Sequence, residues 1–248
     1  MLANSVPLTS LIILFSTLLV IGIGLTLPLY KFDLQKFIRS RLFVKIIFWV
    51  PIFTIFVGVL YANQLLRLLT LMVLIIAIFM EISKQRKSGF GKLLTVYFLL
   101  FAVSMGHFYF IGAGYQTRFV NILITIAFAT VLADVTAFFF GNYFGVHKLP
   151  ATLNKNKSWE GVSGELVGAI FGVLLVNAFI EPVLSLWLFL SIGIGSIIGD
   201  LANSFVKRKL DINDWSNAIP GHGGFVDRLS SIAGSVVLTL YFLKITGL

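Results

Sequence analysis

The chain has 248 residues, of which 58% are hydrophobic and only 12% charged, and its mean hydropathy is +0.99. A soluble domain carries about twice that charged fraction, so the composition excludes an ordinary soluble protein and indicates a membrane protein. The lack of cysteine excludes disulfides, thiolate catalysis and cysteine-ligated metals, and the net charge of +9 indicates basic cytoplasmic loops beside anionic lipid rather than nucleic-acid binding.

Apolar stretches of roughly 20 residues recur along the chain, and each is long enough to cross a hydrocarbon core about 30 Å thick. They predict an all-α fold, a polytopic integral membrane protein with about eight transmembrane helices. The first stretch is long and has no basic residues before it, so we expect a retained helix rather than a cleaved signal peptide. The predicted spans are 7–28, 43–61, 65–82, 93–113, 119–140, 162–180, 183–202 and 229–247.

Basic residues gather in alternate connections between the predicted spans. The positive-inside rule therefore places the first, third, fifth and seventh connections in the cytoplasm and both termini outside. Arg67, Arg118 and Lys244 lie at the opposite ends of the spans. The residues of the four basic connections are Lys31, Lys36, Arg39, Arg41 and Lys45, then Lys84, Arg86, Lys87 and Lys92, then Lys148, Lys155 and Lys157, and finally Lys207, Arg208, Lys209 and Arg228.

The two halves of the chain differ in character. The first four spans are aliphatic and Phe-rich, so residues 1–118 are predicted to be a transmembrane scaffold and residues 119–248 a transmembrane catalytic region. Small residues recur at four-residue spacing in the second half, which predicts close helix packing. These are Gly164, Gly168 and Gly172 in one span and Gly195 and Gly199 in another.

Four carboxylates lie near the cytoplasmic ends of the last four predicted spans: Asp134, Glu165, Asp200 and Asp227. Each alone is equally well interpreted as a charge at a helix end. Because acidic residues are costly in a membrane, four at one depth on one side predict a polar functional site at the cytoplasmic face.

Basic residues in the fifth and seventh connections complement these carboxylates, namely Lys157, Lys207, Arg208 and Arg228. Mg²⁺ takes carboxylate and phosphate oxygens, and Lys and Arg bind the remaining phosphate charge. The combination therefore predicts a site for Mg²⁺ and a phosphorylated substrate.

The segment Pro220-Gly221-His222-Gly223-Gly224 is typical of a tight turn with exposed backbone N–H groups, as in phosphate-binding loops. The other histidines are His107 in an apolar span and His147 in a loop. Neither has metal-ligand spacing to another histidine, so no zinc site is predicted.

The order of the polar motifs resembles that of the bacterial phosphatidate cytidylyltransferases, also called CDP-diacylglycerol synthases. Between residues 130 and 235 the chain follows the family pattern A-D-x-x-A, G-x-x-F-G-x-H-K-L, K-T-x-E-G, S-x-x-K-R, K-D and P-G-H-G-G-x-x-D-R-x-D. The matching segments are 133–137, 141–149, 157–161, 204–208, Asp214 and 220–228. The sequence departs from the pattern at Asn213, where the family has Lys, at Ser230, where it has Asp, and at Asn154-Lys155, where it usually has Ser-Pro.

The resemblance implies transfer of CMP from CTP to phosphatidic acid or a related lipid phosphate, within phospholipid biosynthesis. It implies Mg²⁺ at the matching aspartates Asp200 and Asp227, with Asp134 as a further metal ligand and room for a second metal ion. The catalytic set that we expect is Lys207, Arg208, Asp214, His222 and Arg228. The substrate-binding set is Lys157, Ser158, Ser204, Gly221, Gly223 and Gly224.

The expected partners are CTP, the lipid phosphate and the bilayer, with no nucleic acid, and a homodimer is the assembly that the resemblance suggests. The expected location is the bacterial cytoplasmic membrane, with the active site facing the cytoplasm. Two alternatives stay open at this point. The departures at Asn213 and Ser230 would suit a non-catalytic or altered-substrate paralogue, whereas a transporter would spread carboxylates through the membrane depth.

Overall fold

The structure is a computed structural model that describes residues 6–85, 90–114, 119–154, 156–180 and 185–247. Within these ranges the chain is helical apart from turns and two isolated β-bridges, as the all-α prediction requires. Several residues named above lie outside the described part of the chain: Arg86, Lys87, Arg118, Lys155 and the first two positions of the predicted span 183–202.

The described residues form ten α-helices and one short 3₁₀ helix, Leu27–Tyr30. Three helices are short and connect the longer ones or lie beside them. In chain order the helices are α1 Leu8–Thr26, α2 Leu34–Ile38, α3 Arg41–Tyr61, α4 Gln64–Lys84, α5 Gly91–Gly114, α6 Phe119–Tyr143, α7 Ala151–Asn154, α8 Trp159–Phe179, α9 Leu188–Leu210 and α10 Phe225–Thr246.

Seven helices in the described residues are long and apolar enough to cross a membrane, which confirms a polytopic membrane protein. They are α1 with the 3₁₀ turn that follows it, α3, α4, α6, α8, α9 and α10. The 24-residue helix α5 occupies the position of the fourth predicted span. The count of eight spans and their orientation stay predictions.

Two helices on either side of the seventh connection extend beyond their predicted spans. Helix α9 continues to Leu210, so Lys207 and Arg208 lie in its last turn rather than in a loop. Helix α10 begins at Phe225, which places Asp227 and Arg228 in its first turn. Polar residues continue a helix past its apolar stretch as readily as apolar ones, so hydropathy alone placed these ends too close to the middle of the spans.

Side-chain caps fix the starts of several helices. The Ser40 hydroxyl accepts a hydrogen bond from Phe43 N at 3.2 Å, the Asn63 side chain accepts one from Leu66 N at 2.8 Å, and Ser158 accepts one from Gly161 N at 3.1 Å. Each cap satisfies a backbone donor that the first helical turn leaves unpaired. The start of α8, next to the candidate site, is therefore set by its own sequence.

The second half of the chain packs as two closely apposed helix pairs, which confirms the predicted small-residue packing. On α8, a Cβ added at Gly172 would lie 2.9 Å from the Cβ of Ala129 on α6. On α9, a Cβ added at Gly195 would lie 2.6 Å from the carbonyl oxygen of Gly234 on α10. The absence of side chains at these positions brings the backbones together, as small residues do between membrane helices.

Candidate active site

A cavity of about 830 Å³ opens between α1, α3, α6, α8, α9 and α10. One part of its wall is apolar and includes Phe15 of α1, Phe53 of α3 and Phe128 of α6. Phe15 and Phe53 stack face to face, with ring centroids 4.0 Å apart. The other part of the wall carries ionisable side chains, so the cavity joins a surface suited to lipid to one suited to charged groups.

The four carboxylates singled out from the sequence all line this cavity, although each comes from a different helix. Asp134 accepts a hydrogen bond from the Ser231 hydroxyl at 3.2 Å. Glu165, which is 1% exposed, accepts one from the Ser196 hydroxyl at 3.4 Å. Both serines lie on α9 or α10, so the packed helix pairs also orient the acidic groups.

Lys157 lies between two of these carboxylates. Its ammonium pairs with Asp200 and lies 3.6 Å from Glu165 Oε1. Its backbone is held by a short antiparallel contact, because Leu149 N donates to Lys157 O at 2.9 Å and a β-bridge joins Lys148 to Ser158. The cation therefore offsets the repulsion between two acids that burial would otherwise make costly.

Asp227 joins three segments through a single carboxylate. Its Oδ1 accepts from Lys207 Nζ at 2.7 Å, and its Oδ2 accepts from Trp215 N at 2.9 Å and Gly224 N at 3.0 Å. The contacts link the end of α9, the connecting loop and the start of α10. Both oxygens are therefore engaged in holding the protein's own structure.

The glycine-rich turn needs its glycines for two different reasons. Gly221 and Gly223 have φ values of +74° and +83°, which side chains rarely tolerate. At Gly223 an added Cβ would also lie 2.7 Å from Asp227 Oδ2 and 3.2 Å from Asp214 Oδ1. The turn thus passes directly against the carboxylates, with its closure fixed by a 2.8 Å bond from Ile219 N to Gly223 O.

His222, at the centre of this turn, is only 3% exposed and lines the cavity. Its Nδ1 lies 3.3 Å from the carbonyl oxygen of Pro220, and its ring meets Trp49 edge-on with centroids 5.8 Å apart. A carbonyl only accepts, so Nδ1 carries the proton. Burial lowers the pKa of His222 to about 4, and the nearby positive charges of Arg228 and Lys45 act in the same direction. The imidazole is therefore neutral at neutral pH.

This neutral histidine predicts an acid-sensitive fold. Between pH 4 and 6.5 the unfolded chain binds more protons at His222 than the folded chain does, so the free energy of unfolding rises with pH through that window. Above pH 6.5 the neutral His222 no longer lowers the stability of the fold. We expect the Tm in detergent to fall as the pH is lowered from 7 to 5, and we expect His222→Asn to reduce that fall. Each kcal/mol of lost stability should lower the Tm by about 2–4 °C. The control is His107→Asn on α5. An unchanged pH dependence in His222→Asn would contradict the assignment.

The predicted site residues do not all reach the cavity. Its wall includes Asp134, Lys157, Ser158, Asp200, His222, Asp227 and Arg228. Lys207 is tied to that wall through Asp227. Ser204 instead accepts a hydrogen bond from Asn154 Nδ2 at 3.4 Å, and Arg208 Nη1 donates to Asn213 Oδ1 at 3.3 Å. Two of the positions that depart from the family pattern, Asn154 and Asn213, thus contact predicted site residues.

Three buried polar atoms lack a hydrogen-bond partner within the described ranges. They are Arg208 Nε, Arg228 Nε and the Ser230 hydroxyl oxygen. Arg228 also lines the cavity, so its guanidinium adds positive charge to the cavity wall.

Sequence reasoning missed several residues of the first half that support the site. Lys45 and Trp49 of α3 line the cavity. Glu81 of α4, which is 5% exposed, contacts the loop before α10 and the first residues of that helix. A signal for Glu81 was present, because it is a carboxylate inside the span 65–82 and near the end that the charge pattern places on the cytoplasmic side.

A second supporting contact is centred on Asn203 of α9. Its side-chain oxygen accepts from Tyr97 OH at 3.0 Å and from Trp215 Nε1 at 2.7 Å. The Tyr97 and Trp215 rings also stack, with centroids 5.6 Å apart. Because Trp215 N also donates to Asp227, this buried contact fixes the loop on which Asp227 depends.

The carboxylates of the cavity wall suit Mg²⁺ only if oxygens of the substrate phosphates complete its coordination. Among the residues described, no three Asp, Glu or His side chains converge into a ready-made metal site. Mg²⁺ usually takes one or two carboxylates together with waters and substrate phosphates. Asp200 and Asp134 face the cavity and could supply those two, whereas both Asp227 oxygens already accept hydrogen bonds.

Comparisons with known proteins find a matching family model and similar proteins. The model of the cytidylyltransferase family matches residues 5–246. A phosphatidate cytidylyltransferase of Brucella abortus is 31% identical over 244 residues, which cover 91% of this chain and 83% of the relative. The enzyme of that name in Mycobacterium bovis is 37% identical over 120 residues, covering 45% of this chain and 39% of the relative.

Proposed function

The chain belongs to the cytidylyltransferase family, and from this premise we propose that it transfers CMP from CTP to phosphatidic acid, giving CDP-diacylglycerol and pyrophosphate in phospholipid biosynthesis. The observation that carries the proposal is the cavity itself. Its charged wall suits a triphosphate and a lipid phosphate, and its apolar wall, built from membrane-spanning helices, suits acyl chains.

The reaction joins two polyanions, so its main barrier is their repulsion and alignment. An oxygen of the lipid phosphate bonds to the α-phosphorus of CTP while the bond from that phosphorus to the bridging oxygen breaks, and pyrophosphate leaves. A lipid phosphate is already anionic, so no strong general base is needed. Positive charges placed where the phosphates meet, together with in-line positioning, supply the catalysis.

The residues of this chain divide that work between them. Arg228 lines the cavity and donates to a phosphate oxygen, and Lys45 and Lys157 add positive charge to the same wall. Asp200 and Asp134 would hold Mg²⁺, which would neutralise part of the triphosphate charge. Asp227 and Lys207 hold the glycine-rich turn against the cavity. The neutral His222 side chain stabilises the glycine-rich turn through its contacts with Pro220 O and Trp49.

The direct test is the purified protein in mixed micelles with CTP, Mg²⁺ and phosphatidic acid, measured by pyrophosphate release. We expect activity in the parent and a loss of about 100- to 1,000-fold in kcat/KM for Asp200→Asn, because an electrostatic contribution at the reacting phosphates is removed. The matched control is Asp211→Asn, an exposed aspartate at the end of the same helix whose φ of +56° asparagine tolerates. Unchanged activity in Asp200→Asn would refute the role of Asp200.

A second candidate is a paralogue that acts on another lipid phosphate or binds one without catalysis. Ser230 favours it, because its buried hydroxyl lacks a partner within the described part of the chain at a position where the resembled family has Asp. This candidate requires the parent to be inactive with phosphatidic acid. It also requires activity either with another lipid phosphate or after the paired change Ser230→Asp and Asn213→Lys.

We further propose that the protein lies in the cytoplasmic membrane of a bacterium, with the charged cavity wall facing the cytoplasm and both termini outside. The alternating basic connections support this orientation, and the bacterial origin of the relatives supports the assignment to a bacterial membrane. A homodimer is the assembly we propose.

A further inference from the structure

We propose that Glu81 is a positioning residue for the transfer reaction, which holds the first turn of α10 so that Arg228 faces the substrate phosphates. The inference rests on the proposed function. Glu81 lies on α4, none of whose described residues line the cavity, so its influence on the site passes through α10 and the loop before it.

The contacts of Glu81 complete the cap of α10. Its Oε1 accepts from Phe225 N at 3.0 Å and its Oε2 accepts from Val226 N at 3.0 Å. The preceding donor, Gly224 N, is taken by Asp227 Oδ2 at 3.0 Å. The first N–H groups of a helix have no partner within it, and here two carboxylates satisfy three consecutive ones.

The same carboxylate also holds the loop that leads into the helix. Ser216 Oγ donates to Glu81 Oε1 at 2.6 Å, and Trp215, the residue before it, donates to Asp227. Glu81 and Asp227 therefore accept hydrogen bonds from the segment before the glycine-rich turn and from the residues at its end. Loss of either would release the loop and the helix start together.

Close contact shows that little movement is tolerated at this point. A Cβ at Gly224 would lie 2.5 Å from Glu81 Oε2 and 2.8 Å from its Cδ, so the carboxylate lies directly against the main chain. Gly224 contributes no side chain of its own to cap α10. A carboxylate from another helix thus takes the place of the usual capping side chain.

Glu81→Gln tests this role, because the amide keeps the size of the side chain but turns one acceptor into a donor that faces an N–H group. We expect kcat/KM for CTP to fall on the order of ten- to a hundredfold, as small misplacements of catalytic groups cause. Hydrogen exchange of peptides covering residues 224–226 should quicken. The activity loss should appear mainly in KM for CTP, with KM for the lipid less affected.

Two controls separate positioning from general stability. Ser83→Ala removes an exposed hydroxyl that bonds only within α4, and it should leave both readouts unchanged. Leu243→Ala creates a cavity at the far end of α10, where the side chain is 1% exposed, and should lower Tm without raising KM for CTP.

The outcomes are distinct. Normal kinetics in Glu81→Gln, or an equal rise in KM in Leu243→Ala at a similar loss of Tm, would overturn the proposal. If the parent protein itself lacks activity with CTP and phosphatidic acid, the proposed function fails instead. The exchange of residues 224–226 then decides independently whether Glu81 holds the start of α10, and unchanged exchange in Glu81→Gln would reject it.

Discussion

Asp227→Ala is expected to abolish nucleotidyl transfer, with a loss of at least about 1,000-fold in kcat/KM, and to destabilise the fold as well. The carboxylate accepts hydrogen bonds from Lys207 Nζ, Trp215 N and Gly224 N, and its side chain is 1% exposed. Its removal leaves a mostly buried ammonium without its partner, which costs about 3–5 kcal/mol. Two buried backbone donors also lose their acceptor, and the glycine-rich turn loses its anchor.

A paired change distinguishes the loss of structure from the loss of chemistry. Asp227→Asn with Lys207→Met removes both charges and keeps similar volumes, so we expect it to regain much of the Tm lost in Asp227→Ala. Activity should stay low, because the Lys207–Asp227 ion pair no longer holds the glycine-rich turn against the cavity. Pyrophosphate release and thermal unfolding in detergent measure the two effects. A paired variant that regained activity would contradict a role for this ion pair in the reaction.

Gly234→Val is expected to prevent the accumulation of folded protein. Any Cβ at Gly234 would collide with the carbonyl oxygen of Gly195, and Gly199 faces the backbone at Ser230 in the same way. The two helices, which carry Asp200 and Asp227, would have to separate along this contact. Overpacking costs about 1–3 kcal/mol where side chains can yield, and here the obstacle is main chain, so the cost lies at or above that range.

The comparison residue for this change is Gly58 of α3, where an added Cβ would meet nothing within 4 Å. Gly58→Val should express and unfold like the parent, apart from a small effect of helix propensity. The measurements are the yield of monodisperse protein after size-exclusion chromatography and its Tm. Wild-type yield and Tm in Gly234→Val would contradict the close packing of α9 and α10.

The architecture could be predicted because its signals are local. A stretch of 20 apolar residues identifies a span without reference to the rest of the chain, and glycines four residues apart identify a packing face. The topology predicted the convergence of Asp134, Asp200 and Asp227, because the fifth and seventh connections between predicted spans lie on the same side of the membrane. The roles of these residues in metal and phosphate binding stay predictions.

The supporting contacts could not be predicted because they join distant parts of the chain. Glu81 and Val226 are 145 residues apart, and Tyr97 and Asn203 are 106 residues apart. Hydrophobic periodicity gives the faces of a helix but not which helix covers each face. The sequence also could not show that Asp227 uses both oxygens within the protein, because two of its three donors are backbone N–H groups.

The two-sided wall of the cavity has a kinetic consequence under the proposed function. CTP arrives at Arg228 from water, so the fraction of sites that bind CTP depends on its concentration in solution. The lipid phosphate arrives past Phe15 and Phe53 from the bilayer, so its occupancy follows a fraction of the membrane surface. The reaction rate therefore depends both on the concentration of CTP in water and on the fraction of lipid phosphate in the membrane. The rate responds when either quantity changes, and enlarging the membrane at constant lipid phosphate slows the reaction by surface dilution.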